Sequence, residues 1–223
     1  MISGCSPCSA TWSPDLTQPI VMRHFRWMRI AVFVSCACIA APLGAQTGVQ
    51  VTLGATSSGV LVSDGVVHTK LQPAIAPTVG VSVALPTGTG RYRVRLEAHV
   101  SRSELNAITA DGVKDGLGSL TTIDALLMAE GPLNGNLRWQ AGGGALFYQP
   151  AEHQGVFLDG PVRRWMVAGG VTYSQRLNAH YTFVANGRVD AHSFLTSALQ
   201  ARNYAGSQGV RRFALTIGVE RAL

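Results

Sequence analysis

Eight segments of this chain alternate apolar and polar residues with a period of two, and the connections between them alternate between short and long. The segments are Val49–Ala55, Thr78–Leu85, Arg91–Val100, Thr122–Glu130, Leu137–Tyr148, Trp165–Ser174, Tyr181–Ala191 and Phe213–Leu223. A period of two is the signature of a β-strand, whose successive side chains point to opposite faces. Three connections are short and rich in turn-forming residues: PTGTG at 86–90, GPLNGN at 131–136, and a turn around Leu177-Asn178. The other four, at 56–77, 102–120, 149–163 and 192–211, are long. An even number of strands joined in this manner predicts an all-β fold, an eight-stranded antiparallel up-and-down barrel with all its short turns at one end.

The segment RYRVRLEAHV (91–100) raises the question of which face points inward. Tyr92, Val94, Leu96, Ala98 and Val100 share one face, and Arg91, Arg93, Arg95, Glu97 and His99 share the other. Across all segments the polar face is balanced: Arg93, Arg95, Arg138, Arg188 and Arg212 stand against Glu97, Asp124, Glu130, Asp190 and Glu220. Lysine, the usual residue of a solvated surface, occurs only at Lys70 and Lys114, both in long connections. Arginine suits a confined network, because its planar fork pairs with carboxylates bidentately. The apolar face carries aromatics at its ends. Tyr92, Trp139, Tyr173, Tyr181 and Phe183 fall near one rim, Phe147, Trp165 and Phe213 near the other. Trp139 to Phe147 and Trp165 to Tyr173 each span roughly 20 Å along a tilted strand, close to the apolar height of a membrane barrel. These features predict a transmembrane barrel with its charged residues in the lumen. Alternation alone also fits a soluble sandwich or barrel with a solvated charged face.

The start of the chain reads as a leader. Residues 22–45 run from a basic stretch (MRHFRWMR) through an apolar one (IAVFVSCACIAA) to PLGAQ, the order of a cleavable signal peptide. A cut after Ala45 leaves 46–223 as the barrel, with a cut after Ala40 as the alternative; residues 1–21 read as an upstream extension. All four cysteines (Cys5, Cys8, Cys36, Cys38) precede the barrel and lack partners at metal-ligand spacing. The net charge of +6 includes three leader arginines, and the remaining basic residues are not clustered, which argues against nucleic acid as a partner.

Leader, strand count, connection asymmetry, aromatic rims and a final strand reaching the C-terminus together resemble the small eight-stranded outer-membrane proteins of Gram-negative bacteria, of the OmpA-barrel, OmpX and OmpW type. The resemblance implies placement in the outer membrane, contact with its lipid and lipopolysaccharide, and recognition of the last strand by the barrel-assembly machinery. That strand alternates Phe213, Leu215, Ile217, Val219 and Leu223. It departs from the family at Leu223, where an aromatic is usual, and at Arg221, which occupies a lipid-facing slot.

Some barrels of this size modify lipid A. A deacylase of that type carries His and Ser two apart on one strand face, whereas here His192 and Ser193 are adjacent and face opposite sides of a strand. An acyltransferase gathers such groups from outer loops, where Ser63, Asp64 and His68, or His153 and Asp159, are available. The histidines show no metal-ligand spacing, and Gly142-Gly143-Gly144 lies mid-strand, relieving crowding rather than binding phosphate. No catalytic, cofactor or metal site is therefore assigned. The expectation is a structural or surface-interaction barrel closed by its charge network. Its long connections, with Lys70, Lys114, Arg163, Arg202, Asp64, Asp111 and Asp159, would meet an external partner. A narrow pore for small solutes and a lipid A-modifying enzyme remain the alternatives.

Overall fold

The computed structural model describes residues 47–64, 69–86, 91–153, 155–201 and 208–223. The expected leader and extension, all four cysteines, His68 and Arg202 lie outside the described residues. The strands are β1 (Gly48–Ser58), β2 (Val62–Asp64), β3 (Thr69–Pro73), β4 (Ala76–Pro86), β5 (Arg93–Ile108), β6 (Lys114–Asn134), β7 (Leu137–Pro150), β8 (Val162–Arg176), β9 (Tyr181–Phe194) and β10 (Gln208–Ala222). Among the described residues, a 3₁₀ turn (Gly155–Phe157) and a short helix α1 (Ser197–Ala201) lie in the connections that follow β7 and β9 on the outer side.

Eight of these strands form a closed antiparallel ring in the order β1, β4, β5, β6, β7, β8, β9, β10, with β10 returning to β1. The closing pair runs in continuous register from Gly48↔Ala222 to Ser58↔Arg212. Closure leaves the ring without a free edge, so every backbone polar group at its waist has a cross-strand partner, as lipid requires.

The faces are inverted relative to a soluble protein. Leu215 is 71 % exposed, Trp165 70 % and Val167 65 %, whereas Asp190 is 0 % exposed and Arg95 and Glu130 are 1 %. No arrangement in water would leave aliphatic side chains outside and bury carboxylates, because each transfer is unfavourable. In a bilayer the aliphatic face meets lipid, and the buried charges can pair with one another in the lumen. The charged face of Arg91–Val100 therefore points into the lumen.

Closing so small a ring bends the sheet sharply, and inward-facing side chains are crowded. Gly142 and Gly144 of β7 show the consequence: an added Cβ would lie 2.0 Å from the Leu127 carbonyl oxygen and 1.9 Å from that of Ala125. Only glycine lets the β6 and β7 backbones approach this closely. Two of the short turns follow their sequences, and residues 87–90 of the third lie outside the described residues. Gly135 adopts φ +53° between β6 and β7, and the Asn178 side chain accepts from the amides of His180 and Tyr181, both at 2.9 Å, between β8 and β9.

Two long connections differ from expectation. Much of 102–120 is paired strand, from Arg102↔Thr121 to Ile108↔Lys114, so β5 and β6 project as a hairpin beyond the ring. The connection 56–77 contains β2 and β3, which add to the outer end of β5. Apolar alternation fades in these stretches because no lipid faces them, while backbone pairing continues. Arg163, expected in a loop, stands on β8.

Candidate functional site

The ten charged residues predicted to face the lumen are brought together inside the ring, in two connected groups. Arg95, on β5, is the hub of the inner one. Its Nε donates to Glu130 Oε1 at 2.9 Å, its Nη2 to Glu220 Oε2 at 3.0 Å, and its Nη1 to Ser82 Oγ at 2.9 Å and to Gln50. Arg93 bridges the same two carboxylates, at 2.9 Å to Glu220 and 3.2 Å to Glu130. Arg138 stands at the rim, 3.7 Å from Glu130, and donates to the Arg91 carbonyl at 3.0 Å.

The second group lies nearer the barrel's middle and is centred on Arg188 of β9. Its guanidinium meets Asp190 at 2.8 Å, Glu97 at 3.1 Å and Asp124 at 3.3 Å. Arg212 adds contacts of 3.4 Å to Asp124 and 4.0 Å to Asp190. His99 Nδ1 lies 2.8 Å from Asp124 Oδ1 and 3.2 Å from Arg188 Nη1, which ties the imidazole into the same group. Glu97 joins the groups, 3.9 Å from Arg95 and 3.1 Å from Arg188. Five arginines thus face five carboxylates in a volume that admits little water. Such mutual compensation is the condition for burying charge at all. The cavity left among Thr78, Glu97, His99, Gln140, Arg188 and Thr216 is about 10 Å³, room for roughly one water molecule.

Above the charges the lumen changes character, which the charge pattern did not reveal. Leu105, Leu120, Leu146, Tyr148 and Phe194 on the strands pack with Leu61, Phe157 and Leu199 from the connections into a buried apolar cluster. Tyr148 meets Phe194 edge-on with centroids 5.5 Å apart, and Phe157 meets Phe194 at 5.8 Å. The Tyr148 hydroxyl reaches down to His192 Nε2 at 2.7 Å, so one side chain belongs to both layers. Leu126, Met128 and Met166 also turn inward along one wall. The signal for two of these residues was parity: Tyr148 shares the parity of Gln140 within the expected segment, and Phe194 shares that of Asp190, continued past the expected strand end.

The aromatic positions lie on the outer wall or at its rims. Tyr92, Trp165, Tyr181 and Phe213 are exposed, and Trp139, Phe147, Tyr173 and Phe183 are partly so. Tyr92 and Trp139 pair at the inner rim with centroids 6.5 Å apart. The groups considered for catalysis are not assembled among the described residues. His192 is buried toward the lumen while Ser193 is exposed on the opposite face. His153 is exposed, and Asp159 accepts from Ser197 instead. No cluster of three His, Cys, Asp or Glu suited to a metal occurs among the described residues.

A closed antiparallel ring with an apolar exterior and a charged, mutually paired interior defines a transmembrane β-barrel of the small outer-membrane type. Solved structures with this fold include AlkL in lipid bilayers, 12 % identical, covering 83 % of this chain and 94 % of that one with a TM-score of 0.50. OprG from Pseudomonas aeruginosa is 16 % identical over 80 % of this chain and 96 % of its own, with a TM-score of 0.49. Neisserial surface protein A is 11 % identical over 79 % and 97 %, with a TM-score of 0.46. No protein-family model matches the sequence, and no curated protein matches it.

Proposed function

We propose that this chain is a non-enzymatic barrel of the bacterial outer membrane whose lumen is sealed and whose work is done by its external face. The observation that carries the reading is the lumen itself. Paired charges occupy its inner and middle levels, the cavity among Thr78, Glu97, His99, Gln140, Arg188 and Thr216 is only about 10 Å³, and an aromatic cluster lies at its outer end. Such a barrel anchors the projecting β5–β6 hairpin and the outer connections above the membrane, where they are free to contact lipopolysaccharide or an external partner. The alternating apolar face of β10, from Phe213 to Val219, supports its recognition by the assembly machinery.

Planar-bilayer recording tests the seal. The inserted protein is expected to give no conductance steps above baseline, and steady ohmic steps would establish the narrow pore instead. Opposite facing of His192 and Ser193 supports the non-enzymatic reading. Incubation with lipid A or phospholipid should leave the acyl pattern unchanged, and loss or transfer of a chain would refute it.

A further inference from the structure

The ten lumen charges balance in sum but not level by level. In the inner group three guanidiniums, those of Arg93, Arg95 and Arg138, share two carboxylates, Glu130 and Glu220. All three converge on one oxygen, Glu130 Oε2, at 3.2 Å from Arg93, 3.3 Å from Arg95 and 3.7 Å from Arg138. In the middle group the ratio reverses, with Arg188 and Arg212 against Asp124, Asp190 and Glu97. Glu97 lies 3.1 Å from Arg188 and 3.9 Å from Arg95, so it serves the middle group first. The surplus positive charge falls on Arg138, which has the longest of the inner contacts.

The hydrogen bonds show the same shortage. The Nε atoms of Arg93 and Arg138 are buried without a hydrogen-bond partner among the described residues. Arg138 Nη2 donates to a neutral acceptor, the Arg91 carbonyl, at 3.0 Å. Arg91 and Arg176 stand at the same end of the ring, both exposed and both outside any ion pair among the described residues. Among those residues, every Asp and Glu other than Glu130 and Glu220 lies in the middle group or toward the outer end. The side chains of Arg93 and Arg138 are 22 % and 18 % exposed, so both reach the mouth of the lumen. On the lipid side the wall is closed by the Tyr92–Trp139 ring pair. Tyr92 precedes Arg93 and Trp139 follows Arg138, so rings and charges point to opposite faces of their strands. The surplus charge is offered to water in the mouth and not to lipid headgroups.

We propose that the inner mouth binds a small oxyanion of the phosphate class from the aqueous side, held by Arg138 and Arg93. The oxygens of such an anion accept from both guanidiniums at once in charge-assisted bonds, which a halide meets only as a point charge. Arg91 and Arg176 add an attractive field at the same end and draw anions toward the mouth. The bound anion supplies the counter-charge that Glu130 cannot give to three arginines, and by mass action it stabilises the folded ring. Only the compartment it comes from, the periplasm, rests on the membrane-spanning reading above.

The test titrates inorganic phosphate into the protein, purified from membranes in a non-ionic detergent, with ionic strength held constant by sodium chloride and binding followed by calorimetry. Wild type is expected to bind phosphate saturably, and Arg138→Gln to bind it about tenfold more weakly, a difference of about 1.4 kcal/mol. Arg138→Lys, which keeps the charge and gives up the fork, should lose part of the affinity. Absence of saturable binding to wild type overturns the site, as does a chloride titration that gives the same curve, since that is screening alone. Undiminished binding by Arg138→Gln also overturns it. A second readout separates a surplus charge from a structural one. In phosphate-free buffer Arg138→Gln should match wild type in urea titration, because it removes the charge that lacks a partner, whereas Arg95→Gln should unfold at lower urea. Equal losses in the two variants would make Arg138 a structural counter-ion and overturn the proposal. Repeating the titration in vesicles of phosphatidylcholine with and without phosphatidylglycerol distinguishes the source. Loss of phosphate binding when phosphatidylglycerol is present would assign the site to a lipid headgroup and overturn the aqueous anion. A wild type that shows no heat-dependent mobility shift on SDS gels would overturn the membrane-spanning reading and leave the phosphate result standing.

Discussion

The lumen is filled twice, by opposite chemistry. Through its inner and middle levels five arginines meet five carboxylates, all carried by β5, β6, β7, β9 and β10. At its outer end Tyr148 and Phe194 come from strands, but Leu61, Phe157 and Leu199 come from the connections. The lower filling is fixed by sheet register, because a slip of one residue would send every charge into lipid. The upper filling is assembled by chain that leaves the ring, and it lies where the wall no longer needs to face lipid. The contrast separates what holds the barrel closed from what closes its mouth.

Breaking the charged level should have the largest effect. Asp124 serves His99, Arg188 and Arg212 at once, so Asp124→Ala leaves two buried arginines short of a counter-charge. Removing one partner of a buried pair typically costs about 3–5 kcal/mol. Urea titration of the protein folded into lipid vesicles should show a loss of that size. A loss below about 1 kcal/mol would mean that water entering the lumen compensates the charges, and that the network is not what stabilises the ring.

Emptying the outer level should cost less and change less. Phe194 is fully buried and contacts both Tyr148 and Phe157. Phe194→Ala is expected to cost about 3 kcal/mol, from lost burial plus the cavity left behind. The charged level beneath it is untouched, so bilayer conductance should stay at baseline. Ohmic steps in this variant would show that the aromatic level alone makes the seal.

The two levels were not equally legible in the sequence. The charges stood on alternating segments bounded by turns, and their balance was visible by inspection, so the ring and its inward charged face could be read directly. Arg93 to Glu97 is an example: the parity places both inward, and the register pairs Arg93 with Glu130. The aromatic level was less legible because three of its eight residues, Leu61, Phe157 and Leu199, come from irregular connections. Phe157 sits in a 3₁₀ turn and Leu199 in a short helix, where no period relates a residue to the lumen.

Gly144→Ala probes the wall that surrounds the charged level. The new methyl group would meet the Ala125 carbonyl oxygen at 1.9 Å, and backbone cannot yield as a flexible side chain does. The β6 and β7 strands must move apart, at an expected cost of about 2 kcal/mol, within the range for overpacking. Equal stability to wild type in the same urea titration would show that the ring has slack between these strands, and that its small cavity is not fixed by backbone curvature.

The smallest expected effect lies at the boundary between the two levels. Tyr148→Phe keeps the ring against Phe157 and Phe194 and removes only the hydroxyl, 2.7 Å from His192 Nε2. His192 is left with two unpaired nitrogens, since its Nδ1 already lacks a partner among the described residues. A single neutral hydrogen bond is worth about 1 kcal/mol, and the same urea titration should show a loss of that order. If Tyr148→Phe proves as costly as Phe194→Ala, the hydroxyl–imidazole link, rather than aromatic packing, is what seats the outer level on the charged one. If the two losses keep the expected order, the levels are coupled mainly by contact area, and each can be altered without emptying the other.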